Sequence, residues 1–211
     1  MPPAGPSAAV QTYVKQLRQR IAATSRRTPC VDPKEVLSRG HSGYRLDMPD
    51  VRVDARVFER LVREGEQAIG RGEDRQGVLL LSDALTLWRG QVLSDVRSSG
   101  ALRAEALRLD EVRLAAVQSR IDAELRLGQH VHLVSELTAL TTLHPLQENL
   151  HAQFIVALYR SGRPLEAFRR LREASVRELG IEPSRRLQEL HRWVLTGEPL
   201  LDAPSYTLTA F

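Results

Sequence analysis

Cysteine and lysine are scarce in this chain, and acids are missing from its first thirty residues. Of 211 residues one is a cysteine, Cys30. A disulfide within the chain is therefore excluded, and a reducing compartment, the cytoplasm, is the expected setting. Cys30 has no histidine pattern beside it that would suggest a metal. His130 and His132 lack a third ligand at a fitting spacing, and His144, His151 and His191 are scattered enough to read as structural or exposed. No apolar run approaches the ~18 residues of a membrane span. The opening Met1-Pro-Pro-Ala-Gly-Pro-Ser7 lacks the apolar core of a signal peptide. There is no Gly-rich phosphate loop, no nucleophile elbow and no carboxylate pair at a strand end. Neither catalysis nor a cofactor is expected. Only Lys15 and Lys34 among the 30 basic residues are lysine, a bias that fits a GC-rich genome.

What the chain does have is 42% hydrophobic residues, enough for one large domain or two small ones. Its charge is unevenly placed. Residues 1–53 carry nine Lys/Arg against four acids, a net of +5, whereas residues 54–211 net −1. The footprint expected for a polyanion therefore sits at the N-terminus, with a solvated basic face as the other reading. Within it, Val10, Val14, Leu17 and Ile21 recur at helical spacing. The other face carries Gln11, Thr12, Lys15, Arg18 and Gln19. Such side chains reach base edges and phosphates together, which suits the major groove of double-stranded DNA. A helix is expected over roughly 8–22, then a polar loop with Pro29 and Pro33. Two short strands around a Gly-rich turn follow in 36–46. A helix followed by a basic hairpin is the second half of a winged helix. The first half is missing from the sequence as it stands.

From Asp54 onward the pattern is helical. Asp54 reads as the N-cap of a helix with Val57, Phe58, Leu61 and Val62 on its apolar face. A second helix follows, with Val78, Leu81, Ala84, Leu85 and Trp88 on one side. A long one covers 102–127, with Leu107, Val112, Ala115, Ala116, Ile121 and Leu125 expected inside. Further helices are expected over about 130–143, 145–160, 164–179 and 184–195, and the tail after Gly197 reads as irregular. Gly72, Gly128 and Gly162 align as helix–helix turns. Five positions later stand Gly77, Leu133 and Ala167, nine later Leu81, Leu137 and Leu171, and twelve later Ala84, Leu140 and Ala174. From 128 to 162 is 34 residues, the tetratricopeptide period. A generic helical bundle is the alternative. The expected fold is thus mainly α: a partial winged helix (recognition helix plus β-hairpin wing) over 1–47, a tetratricopeptide-like domain over 54–197, and a tail over 198–211.

Several motifs carry a family resemblance. They include Val10-Gln-Thr-Tyr-Val-Lys-Gln-Leu-Arg-Gln-Arg20, Gly43-Tyr-Arg-Leu46, Ala84-Leu-Thr-Leu-Trp-Arg-Gly90 and Arg120-Ile-Asp-Ala-Glu-Leu-Arg-Leu-Gly128. His144-Pro-Leu-Gln-Glu-Asn-Leu-His151 and Glu178-Leu-Gly-Ile-Glu-Pro183 complete the set. Over nearly its whole length the chain resembles the Streptomyces antibiotic regulatory protein family of bacterial transcriptional activators. The resemblance implies a winged helix of the response-regulator type and a bacterial transcriptional activation domain. It also implies control of a secondary-metabolite (antibiotic) gene cluster, binding to direct repeats near promoters, recruitment of RNA polymerase holoenzyme, and homodimers on DNA. Family members precede the recognition helix with a strand-rich segment and two helices that bury its apolar face. Without them this helix is expected to lack a core. The residues matched to the groove are Gln11, Thr12, Lys15, Arg18 and Arg20, and Arg39 matches the basic wing residue that enters the minor groove. The reading from another class is a protein-interaction adaptor in which only the helical domain works.

Overall fold

The computed structural model describes residues 6–24, 32–41, 43–47, 52–93, 99–163, 169 and 184–203. The chain divides into two units, Met1–Arg52 and Val53–Phe211.

In the first unit, helix α1 spans Pro6–Thr24, two residues longer at each end than the periodicity predicts. Proline is well placed to open a helix, because the N–H it lacks would have no partner there. A single turn, α2 (Pro33–Val36), is capped by Asp32, whose carboxylate accepts from the Lys34 N–H at 2.9 Å. Strands β1 (Leu37–Gly40) and β2 (Gly43–Leu46) pair antiparallel, with Leu37 opposite Leu46, Ser38 opposite Arg45 and Arg39 opposite Tyr44. Val14, Val36 and Leu37 are buried. The expectation of a helix without a core holds for only part of the stripe: Val14 is 7% exposed, whereas Val10 and Leu17 are 47% and 50% exposed.

The second unit is helical: α3 (Asp54–Gly70), α4 (Asp74–Thr86), α5 (Gly100–Arg126), α6 (His130–Leu143), α7 (Glu148–Arg160) and α8 (Arg185–Thr196), then a 3₁₀ turn at Pro199–Asp202. The helix expected over 164–179 lies, but for residue 169, outside the described residues. The three aligned glycines have a common local cause. Gly72, Gly128 and Gly162 have φ of 79°, 77° and 74°, a conformation that Cβ-bearing residues resist. Each closes its helix with the same two bonds. The glycine N–H donates to the carbonyl three residues back, and the next N–H donates to the one five back. This is the Schellman ending. The residues aligned after the first two turns, Gly77 with Leu133 and Leu81 with Leu137, are buried. Ala167, Leu171 and Ala174 lie outside the described residues.

Two cores result. Phe58, Val62, Leu81, Ala84, Leu109 and Ala116 form the first. The second gathers Ile121 and Leu125 with residues of α6, α7, α8 and Leu201. At the crossing of α3 and α4, Gly65 and Gly77 let the backbones approach. A Cβ on Gly65 would stand 2.8 Å from Leu81 Cγ, and one on Gly77 would collide with Ile69 Cγ1 and lie 3.1 Å from the Gly65 carbonyl. Arg126 clamps the end of α5 to the start of α4 through Asp74, donating from Nη2 at 2.7 Å and from Nε at 3.0 Å.

Three expectations need correction. Val53, not Asp54, is the N-cap of α3. Asp54 is the first helical residue, and its carboxylate accepts from the Ala55 N–H at 2.9 Å. Leu107 and Ala115 are exposed, and Leu109 is buried instead. The reason is that α5 serves two cores. Leu109, Val112 and Ala116 face the first, whereas Leu114, Val117, Ile121 and Leu125 face the second. The stripes start five residues apart, so they are offset by about 140° at ~100° per residue, and a single-stripe reading misplaces residues between them. In α7, every residue from Leu150 to Leu158 is buried, as expected of a helix surrounded on all sides. After Gly197 the chain is not irregular at once: Leu201 is fully buried. The Leu201 and Ala203 carbonyls accept from Arg160 at 2.7 and 2.9 Å.

Candidate nucleic-acid interface

On α1, Gln11, Lys15 and Gln19 are four residues apart and exposed, so they line one face. Thr12 lies beside them, but its hydroxyl donates to the Ala8 carbonyl at 2.9 Å, so this donor is taken up by the helix backbone. Arg20 is five residues beyond Lys15, about 140° round the helix. Lys15 and Arg20 are therefore not brought to one face, and the groove-facing set predicted from sequence separates.

Arg18 has a part within the unit itself. It is one turn from buried Val14, on the side toward the hairpin. Its Nε and Nη2 both donate to the Leu37 carbonyl, at 3.1 and 2.5 Å. Bonds from a charged donor are about twice as strong as neutral ones. Arg18 therefore ties α1 to the first residue of the hairpin through two of its five N–H donors. Arg39 is exposed near the hairpin tip, directly across from half-buried Tyr44. The other arginine of the hairpin pairs along the surface, Arg45 with Asp47 at 3.1 Å.

The arrangement offers a polar and basic helix face (Gln11, Lys15, Gln19) and a basic hairpin tip (Arg39). Both suit hydrogen bonding to base edges and phosphates. Gln19 belongs with Lys15 by simple i, i+4 spacing, a signal present in the sequence. The bond of Arg18 had no such signal, because it depends on where β1 lies in space. Among the described residues, no group of three His, Cys, Asp or Glu is placed to hold a metal ion, and no helix is long and apolar enough to cross a membrane.

Comparison with known proteins places the chain. The model of the bacterial transcriptional activator domain matches residues 53–195. The regulatory protein DnrI of Streptomyces peucetius is 43% identical over 204 residues, which cover 95% of this chain and 75% of DnrI. The regulatory protein AfsR of Streptomyces coelicolor is 36% identical over 204 residues, covering 95% of this chain but 19% of AfsR. The solved structure of Mycobacterium tuberculosis EmbR in complex with a low-affinity phosphopeptide superposes with a TM-score of 0.83 at 34% identity. That match covers 94% of this chain and 52% of EmbR. The chain thus spans three quarters of one relative, about half of another and a fifth of the third. With the activator domain filling most of the second unit, and with relatives that continue the match through α1 and the hairpin, the chain belongs to the Streptomyces antibiotic regulatory protein family of transcriptional activators.

Proposed function

We propose that this chain acts in the cytoplasm, at the nucleoid, as the activator of a secondary-metabolite gene cluster. In this reading it binds direct repeats in promoter DNA, as a homodimer, through the Gln11–Lys15–Gln19 face of α1 and through Arg39. The helical second unit engages RNA polymerase holoenzyme, and the role is not enzymatic. One observation carries the DNA contact: α1 presents exposed Gln11, Lys15 and Gln19 while Arg18 holds the hairpin to the same helix. Reader and wing are thereby fixed to each other, and register is what a sequence reader requires.

A gel-shift titration with a direct-repeat duplex and a scrambled one tests this. Lys15→Ala is expected to cost about 1–3 kcal/mol on the direct repeat if the side chain reads a base. A uniform loss on both duplexes, with a shallower salt dependence, assigns Lys15 to phosphate instead. Arg18→Ala is expected to weaken binding by loosening the hairpin, and more hydrogen exchange at residues 37–46 in the free protein would accompany it. Unchanged binding by Lys15→Ala and Gln19→Ala together would remove this face from the interface. No preference for the direct repeat would favour the adaptor reading.

A further inference from the structure

We infer that a cavity of about 730 Å³ in the first core of the second unit is a binding site for a small, uncharged, ring-bearing molecule. This site is separate from the proposed DNA contact and does not depend on it. The cavity opens between the start of α3, the turn that follows α4 and the first turns of α5. Its lining is mainly apolar, with Phe58, Trp88, Val92, Leu93, Leu102 and Leu109 among the residues that form it. Cavities of about 300–1,000 Å³ with mainly apolar walls and a few polar groups are the usual shape of small-molecule sites.

Three features narrow the ligand. First, the Trp88 ring is held as a fixed platform. It meets Phe58 edge-on, with ring centres 5.2 Å apart and planes at 84°, and the Arg113 guanidinium lies 4.6 Å from its ring centre. An immobilised indole in a cavity wall favours a flat, ring-bearing partner. Second, the charged residues at the rim already have partners of opposite sign. Asp54 faces Arg89 at 3.5 Å, and Glu105 is held by Arg108 at 2.6 Å. Among the described residues each charged side chain of the lining is thus paired, and an ionic ligand would have to compete with an existing partner for its counter-ion. Third, Leu93 has φ of 54°, a region that a leucine rarely occupies. Glycine would relax this backbone but would give the wall no side chain. A strained non-glycine residue in a wall is a feature of binding sites.

The neutral probe N-phenyl-1-naphthylamine, titrated into this chain, tests the inference. One probe should bind per chain, saturably, and quench tryptophan emission by energy transfer. The quenching should persist in Trp193→Phe, where Trp88 is the remaining tryptophan. Leu102→Arg and Val53→Arg each place a charge at a partly exposed position of the wall and should weaken binding at least tenfold. Leu107→Arg, on the same helix but outside the cavity, should bind as the unaltered chain does. The anionic probe 1-anilinonaphthalene-8-sulfonate should bind at least tenfold more weakly than the neutral one. Non-saturable binding, or equal affinity in whichever of the two wall variants melts like the unaltered chain, would overturn the site. Equal affinity for the anion would overturn its preference for uncharged ligands.

Discussion

Replacing Gly65 by alanine sets two effects of known sign against each other at the α3–α4 crossing. In a helix interior, alanine is favoured over glycine by about 1 kcal/mol. Against that gain, the new Cβ would stand 2.8 Å from Leu81 Cγ and 3.0 Å from its Cδ2. Carbon atoms rest about 3.5–4.0 Å apart, so a gap of about 1 Å must open. Leu81 is fully buried, and its Cγ is a branch atom that no rotation of the chain end moves away. The Gly77 carbonyl at 3.4 Å limits relief in that direction. Overpacking of this kind costs about 1–3 kcal/mol. The net expectation is a loss of up to about 2 kcal/mol, lowering Tm by up to roughly 8 °C for a domain of this size. Gly70→Ala, at the end of the same helix with nothing within 4 Å of its new Cβ, is the control and should be neutral or slightly stabilising. Urea unfolding at an unchanged slope gives both values. If Gly65→Ala were as stable as Gly70→Ala, the helices would not be held apart by these contacts, and the account of the crossing would be wrong.

Gly162→Val should lower stability by about 2 kcal/mol, because φ of 74° is costly for any Cβ-bearing residue and most for a β-branched one; an unchanged melting curve would contradict the shared turn geometry. Asp74→Asn removes the charge that Arg126 grips in a half-buried site, and a loss of about 1–2 kcal/mol in urea unfolding is expected. Burial lowers the pKa of His151 below its ordinary 6.5, although its Nε2 sits 2.9 Å from the Pro145 carbonyl. The folded state therefore keeps this ring neutral while the unfolded chain takes up a proton as pH falls through about 6.5. Its contribution is full above that pH and declines below it. His151→Asn should flatten the stability difference between pH 7.5 and pH 5.5 measured by denaturation, and an identical pH profile would refute this.

The parts of the fold that local chemistry dictates were readable before any coordinates. Gly72, Gly128 and Gly162 announce their turns because few residues other than glycine tolerate that backbone, and the hairpin is marked by Gly40 and Gly43. The face of Gln11 and Lys15 follows from helical spacing alone. What escaped depends on neighbours distant in sequence. Arg18 looks like a groove residue by spacing, yet the Leu37 carbonyl lies within its reach once the hairpin folds back. Leu107 and Ala115 look buried on a one-stripe helix and are not, because α5 is packed from two directions. Leu201 looks like part of a loose tail, but Arg160 draws the carbonyls around it onto α7.

The double service of α5 has a mechanical consequence. In a plain stack of helical repeats each unit leans only on its neighbours, and stability is a sum of short-range terms. Here one rod of 27 residues, about 40 Å long at 1.5 Å per residue, runs through both cores. Ala116 belongs to one core and Val117, the very next residue, to the other. Close-packed interiors pass strain on rather than absorb it. A few degrees of twist imposed near Leu102 and Leu109 would therefore turn Ile121 and Leu125 against α7, so that α5 works as a torsion shaft.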